Sequence, residues 1–176
     1  MKFKDLTEFI SFLETKGELR RVSTPVDSVL EVTEITDRVV KSGGPALLFE
    51  NVSGYSVPIA INLFGTEQRM AWGLGVDRLE ELVERVTDLL GLMQGPPQGI
   101  LDKFRTLGQL AKVGSFQPKS VRNAPCQEII LEGDDINLNQ FPILKCWPLD
   151  AGKFITLPLV ITKDPATGRR NVGMYR

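Results

Sequence analysis

The sequence predicts an α/β domain followed by a β-rich one. Three features point there. Apolar residues recur at helical spacing through residues 6–113, interrupted by short β-branched runs. A turn-rich, polar stretch then fills residues 114–125. Beyond it the apolar pattern follows strands and turns. The boundary falls near residue 115, which gives domains 1–115 and 116–176.

Taken in order, Leu6, Phe9, Ile10 and Leu13 sit at helical spacing, and Gly17 is a natural stop. Residues 18–23 read as a short strand. Val32, Ile35 and Val39 give residues 31–41 a helical period, with Glu34–Arg38 and Asp37–Lys41 as favourably oriented i,i+4 pairs. Gly43-Gly44-Pro45 breaks that helix. Residues 46–49 and 57–63 read as buried strands joined by the turn Asn51-Val52-Ser53-Gly54. Residues 67–72 look helical. Residues 77–93 carry the clearest helical stripe (Leu79, Leu82, Val83, Val86, Leu89, Leu90), with Asp77 as its cap. Residues 100–113 form another helix. Strands are then expected over 127–131, 155–163 and 170–176, the last two joined by the hairpin loop Asp164-Pro165-Ala166-Thr167-Gly168.

Composition narrows the function. The chain has 176 residues, 42% hydrophobic and 24% charged, with a formal net charge of -1. That charge favours neither nucleic acid nor an acidic tail. The first residues, MKFKDLTEFI, hold no apolar export segment, and no run approaches the ~18 apolar residues of a membrane span. A cytoplasmic location follows. Cys126 and Cys146 form no CxxC pair and read as small buried hydrophobes. Histidine is absent altogether, which removes Ser-His-Asp and Cys-His catalysis and leaves Cys146 without a base. Either the chemistry here avoids histidine or it lies beyond residue 176. A β-rich domain of about 60 residues with its last strand at the terminus is marginal alone, so the chain reads as the front of a longer protein.

Several motifs have plain structural readings. Gly73-Leu74-Gly75 lacks a third glycine, since Arg78 stands there, and follows a helical segment, so it reads as a turn and not a dinucleotide loop. Lys103, Arg105, Lys112, Lys119 and Arg122 lie in a stretch without acidic residues; lacking aromatic interleaving, they read as a solvated face. Asp134-Asp135 reads as a turn capping a short helical segment. Glu31, Glu34 and Asp37 read as surface pairing. In the C-terminal hairpin, Thr156 is placed on the first strand, and Asn171 and Arg176 on the second. Five residues apart, these two face opposite sides of a straight strand; Gly173 permits a bend that unites them.

Six segments, in this order, resemble the UbiD family of decarboxylases: GGPALLFENVSGY (43–55), NLFGTEQRMAWGLG (62–75), NAPCQE (123–128), GDDINLNQFPI (133–143), CWPLDAGKFIT (146–156) and RRNVGMYR (169–176). The similarity is to the bacterial 4-hydroxy-3-polyprenylbenzoate decarboxylases of ubiquinone synthesis. It implies an N-terminal α/β domain and then the start of a flavin-reductase-like split β-barrel. It also implies prenylated FMN, which carries the hard chemistry while the protein positions and polarises. Asn171 matches the family asparagine that ligates a divalent metal, usually manganese, with potassium as a further ion. Arg176 matches the catalytic arginine of a Glu-Arg-Glu network and a cofactor contact. Thr156, Met174 and Tyr175 match positions beside the flavin. The family's metal-binding histidine and glutamate and its catalytic glutamates lie downstream of Arg176, so the 176-residue chain is expected to be inactive alone. The resemblance further implies an aromatic acid substrate, a flavin prenyltransferase as cofactor supplier, homo-oligomers (dimer or hexamer), and peripheral membrane association through a lipid-like substrate. The rivals are another aromatic or α,β-unsaturated acid, such as a menaquinone-pathway intermediate, a scaffold role, and a plain flavin reductase.

Overall fold

The computed structural model of the protein describes residues 3–91 and 121–175. Among these, residues 3–75 and 137–175 form one compact unit, and residues 76–91 with 121–136 form a second.

The first unit is built on a small sheet. Helix α1 (Leu6–Thr15) starts where the Asp5 carboxylate accepts the Glu8 amide at 2.9 Å. It ends before Gly17, which adopts φ 72°. Strand β1 (Leu19–Val22) then runs parallel to β2 (Ala46–Phe49), with helix α2 (Glu31–Lys41) as the crossover. Strand β3 (Ile59–Ile61) returns antiparallel to β2, so the order is β1-β2-β3. The run Ala-Leu-Leu-Phe of β2 is buried at every position, as a strand covered on both faces requires. Leu47 and Phe49 join Val26, Val32, Val52 and Leu144 on one side. Ala46 joins Phe9, Leu13 and Leu63 on the other. Each fully buried Leu or Phe contributes about 1.5–3 kcal/mol. The expected pairs Glu34–Arg38 and Asp37–Lys41 form at 2.6 Å on the exposed face of α2. Glu31 instead accepts the Asp27 amide at 2.7 Å ahead of the helix.

Residues 137–175 belong to the same core. The Leu138–Gln140 turn is capped by Asn137, whose side chain accepts the Asn139 amide. Leu144 is 6% exposed and packs in the cluster of β2. The Lys145 amide donates to Ser28 O at 3.2 Å, and Lys145 O accepts from Leu30 at 2.9 Å. Leu30 stands at the start of α2 in the left-handed region, φ 68°. No side chain caps α2 there, so the strap at Leu144–Lys145 ties down a strained backbone.

Helix α3 (Glu67–Gly73) is capped by Thr66 and carries the largest fully buried side chain, Arg69, at 1% exposure. Arg69 Nη1 donates to Glu18 Oε2 at 2.7 Å and to Gly44 O at 3.4 Å, while Nε and Nη2 have no partner. One guanidinium thus joins α3 to the start of β1 and the turn before β2. Gly73 has a packing reason as well as a turn: a Cβ there would lie 2.6 Å from the Phe64 ring.

The second unit holds helix α4 (Glu80–Gly91), whose start is later than residue 77. Glu81 Oε1 accepts from the Asp77 and Arg78 amides at 3.3 and 3.1 Å, so the glutamate covers the N-terminal donors. Of its apolar stripe, Val83, Val86 and Leu90 are more than half exposed. The strand expected over 127–131 does not form. Short 3₁₀ turns occupy Pro125–Gln127 and Gly133–Asp135 instead. Pro125 sits within the first of these turns, and no strand among the described residues pairs with 128–131. Cys126 is exposed, contrary to its expected burial; Cys146 is half-buried against the β2 core. The helix expected over 100–113 and the cations Lys103, Arg105, Lys112 and Lys119 lie outside the described residues.

Strand β4 (Val160–Lys163) is shorter than the expected 155–163. Leu157 adopts φ 56° and precedes Pro158, which stops extended pairing at that point. It pairs antiparallel with β5 (Arg170–Gly173). The architecture is mixed helix and sheet, as expected, and no closed barrel forms among the described residues.

Glu18→Gln would leave Arg69 buried without a counter-charge and is expected to destabilise by about 3 kcal/mol. Arg69→Met keeps an apolar chain in the same space and leaves Glu18, 39% exposed, within reach of water. It should cost roughly half as much. Urea unfolding midpoints decide this; a larger loss for Arg69→Met would contradict it.

Candidate cofactor and metal site

The residues singled out in the sequence lie on the segment that leaves the Leu144 strap. Leu144 bridges to Phe154, with Phe154 N donating to Leu144 O at 3.0 Å. Between them, the Trp147 amide donates to Asp150 Oδ2 at 3.0 Å and closes a turn. Lys153 reaches back to the first half of the chain: its ammonium donates to the Tyr55 phenol oxygen at 3.0 Å. That bond draws the Tyr55 pKa below its ordinary value. A cavity of about 410 Å³ then opens beside edge strand β3, lined by residues including Ile59, Ile61, Phe141, Leu144, Phe154 and Thr156. Its walls are mostly apolar, and Thr156 is among the residues that line it. Thr156 therefore stands in a cavity wall, in the bend before β4, and not on the strand as expected.

The hairpin that follows has two unlike faces. Ile161 and Val172 are cross-strand partners, flanked in sequence by Leu159 and Met174, and all four are more than half exposed. The opposite face pairs Thr162 with Asn171 and Val160 with Gly173. Alternation puts Tyr175 on this same side, and its ring lies over Gly173, where a Cβ would fall 2.4 Å from Cε2. Asn171 Nδ2 donates to Tyr175 Oη at 3.3 Å. Asn171 and Tyr175 are thus brought together, while Met174 belongs to the apolar side. No hydrogen bond joins Thr156 to either among the described residues. Arg176 lies outside the described residues, so its expected meeting with Asn171 lies there too. Sequence reasoning missed the Asn171–Tyr175 bond. Its signal was the odd-numbered series Asn171, Gly173, Tyr175, which one strand face must share.

The donor chemistry suits a hard divalent cation in part. Asn171 Oδ1 accepts no hydrogen bond among the described residues and is an amide oxygen of the right kind. Among the described residues, however, no group of three or more His, Cys, Asp or Glu side chains could hold a metal. Asn171 is one ligand of a set.

Two family models match in series. The 3-octaprenyl-4-hydroxybenzoate carboxy-lyase N-terminal domain matches residues 10–86, and the Rift-related domain of the same carboxy-lyase matches residues 119–176. The chain belongs to the UbiD family. An uncharacterized protein of Archaeoglobus fulgidus is 52% identical over 176 residues, all of this chain and 35% of its own length. Among solved structures, an evolved dimeric form of the UbiD-class enzyme HmfF from Pelotomaculum thermopropionicum, in complex with prFMN, is 30% identical. It superposes with a TM-score of 0.68 over 97% of this chain and 34% of its own. The vanillic acid decarboxylase of Sedimentibacter hydroxybenzoicus in its open form is 27% identical, with a TM-score of 0.70 over 97% of this chain and 33% of its own. The chain spans about a third of the length of these relatives.

The loop between β4 and β5 offers a pH test. The Thr167 hydroxyl and the Ala166 amide both donate to the Asp164 carboxylate and hold its pKa below the usual carboxylate range. A depressed carboxyl stabilises the fold above its unfolded pKa of about 3.9, and that contribution fades as pH falls through the lower folded value. NMR should therefore show the Ala166 amide shift titrating with a midpoint below the ordinary carboxylate range. Asp164→Asn should abolish that titration; a midpoint above pH 4 would contradict the assignment.

Proposed function

We propose that this chain is part of a prenylated-FMN-dependent, non-oxidative decarboxylase acting on an aromatic acid. The observation that carries the reading is the serial match to two domains of one carboxy-lyase family, over residues 10–86 and 119–176. The prFMN complex of a UbiD-class relative at 30% identity supports the flavin. When bound, the prenylated flavin supplies the electron sink for loss of CO2.

The chain's own residues hold and polarise. Thr156 offers a hydroxyl from an otherwise apolar wall. Asn171 would offer an amide oxygen to a divalent metal, manganese in the first instance, with potassium as a second ion. Backbone at Met174 and Tyr175 passes the flavin. Arg176 would pair with a carboxyl group that, in its protonated form, gives its proton to the product and is left as the carboxylate held by the guanidinium. One amide oxygen and one guanidinium do not by themselves complete a metal set or a proton relay. In this reading the two family domains meet near residue 115, between the matches to residues 10–86 and 119–176.

The substrate we favour is 4-hydroxy-3-polyprenylbenzoate, from the description of the matching family. The vanillic acid decarboxylase relative supports a second reading, a smaller hydroxybenzoate. The protein works in the cytoplasm as a homo-oligomer supplied by a flavin prenyltransferase; among the described residues no helix is long and apolar enough to cross a membrane.

The test is to express the protein at full family length beside a flavin prenyltransferase and add Mn2+. The expected outcome is an altered flavin spectrum and CO2 release from one of the two acids. Arg176→Ala should lower turnover by about 100-fold or more. A protein that binds unmodified FMN only and oxidises a nicotinamide cofactor would overturn the reading in favour of a reductase.

A further inference from the structure

We propose that Lys153 and Tyr55 form a clasp that sets the width of the apolar cavity beside β3 and so positions Thr156. This deepens the reading above that Thr156 serves the flavin, and rests on it.

Residues 57–61 make one wall of the cavity and residues 154–156 another. Each wall begins just downstream of one member of the pair. Tyr55 stands two residues before Val57, and Lys153 directly precedes Phe154. The Lys153 ammonium donates to Tyr55 Oη at 3.0 Å and lies 5.5 Å from the centre of its ring. It thus engages the phenol through both its oxygen and its π-system, across 98 residues of sequence.

Tyr55 is a firm anchor for that bond. Its ring packs against the core cluster that holds Val26, Val32 and Phe49. The buried Ser28 side chain also hydrogen-bonds its phenol, and its own amide donates to Val52 O at 3.0 Å. The wall that carries Thr156 is the one that needs holding. Phe154 N is bonded to Leu144 O, strand β4 begins at Val160, and Leu157 between them adopts φ 56°. Thr156 therefore lies in a bend between two pairing points, and the bond at Lys153 fixes its upstream side. Lys153 is exposed, so the bond adds little to global stability; what it controls is local. Mostly apolar walls with a threonine among them suit a flat ring system with polar edges.

The experiment uses the full-length protein. Amide hydrogen exchange without flavin reads the walls, and FMN titration reads the consequence. Lys153→Met keeps an apolar stem and removes the ammonium, while Tyr55→Phe keeps the ring and removes the oxygen. Each should speed exchange at residues 154–156 about 5-fold, leave exchange in β2 unchanged, and raise the FMN dissociation constant about 5-fold. The double variant should lose no more than either single one, because the same bond is removed in all three. Lys153→Arg should bring both readouts back to within about two-fold of the parent. Thr156→Val separates the clasp from the reading beneath it. If Thr156→Val weakens FMN binding while Lys153→Met and Tyr55→Phe leave exchange or FMN affinity at the parent level, the clasp is wrong and the Thr156 reading stands. Additive losses in the double variant would also overturn the clasp. If FMN binds Thr156→Val like the parent, the Thr156 reading fails and this inference with it.

Discussion

The strap at Leu144–Lys145 is the constraint on which the rest of the first unit depends. Leu144 fills the core beside Val32, Leu47 and Phe49, while Lys145 exchanges backbone hydrogen bonds with Ser28 and Leu30. These bonds hold Leu30 at φ 68°, a conformation that a leucine adopts only when its surroundings enforce it. The same strap sets the position of everything that follows it within the unit, from the Phe154 bridge to the cavity wall at Thr156. The N-terminal sheet is therefore more than a neighbour of the candidate site. It anchors the chain that carries it.

Much of this fold was legible because it is local. Helix α1 follows from apolar spacing and the Asp5 cap, α2 from apolar spacing and its i,i+4 ion pairs, and β2 from a buried run bounded by turn residues. The failures have local causes that pattern reading underweights. Residues 127–131 end in the apolar run Ile129-Ile130-Leu131, but a strand without a partner leaves its backbone unpaired. Leu157-Pro158 looked like the interior of a strand and instead ends it, so Thr156 fell in a bend. Arg69 and Glu18 are 51 residues apart, and nothing in either segment announces that one guanidinium would be buried against the other. Leu144 is the same case: its partner strand lies a hundred residues earlier in the sequence.

The candidate site was legible in a different way. Residue pattern alone left the hairpin undecided, and family resemblance supplied the roles of Thr156, Asn171 and Arg176. The structure adds what neither could give. It separates an apolar face (Leu159, Ile161, Val172, Met174) from a polar one bearing Asn171, and it seats Tyr175 beside the amide. An exposed apolar face of that size on a two-stranded hairpin is not stable packing in itself. It accords with a chain that spans about a third of the length of its relatives.

The claim beneath the account is that β5 presents an amide oxygen to a bound divalent metal. A crystal structure of the full-length protein grown with Mn2+ and flavin, with anomalous data collected at the manganese edge, tests it most directly. The account predicts an anomalous peak at direct coordination distance from Asn171 Oδ1. A manganese peak elsewhere, with Asn171 and Tyr175 pointing into solvent away from the flavin, would contradict it.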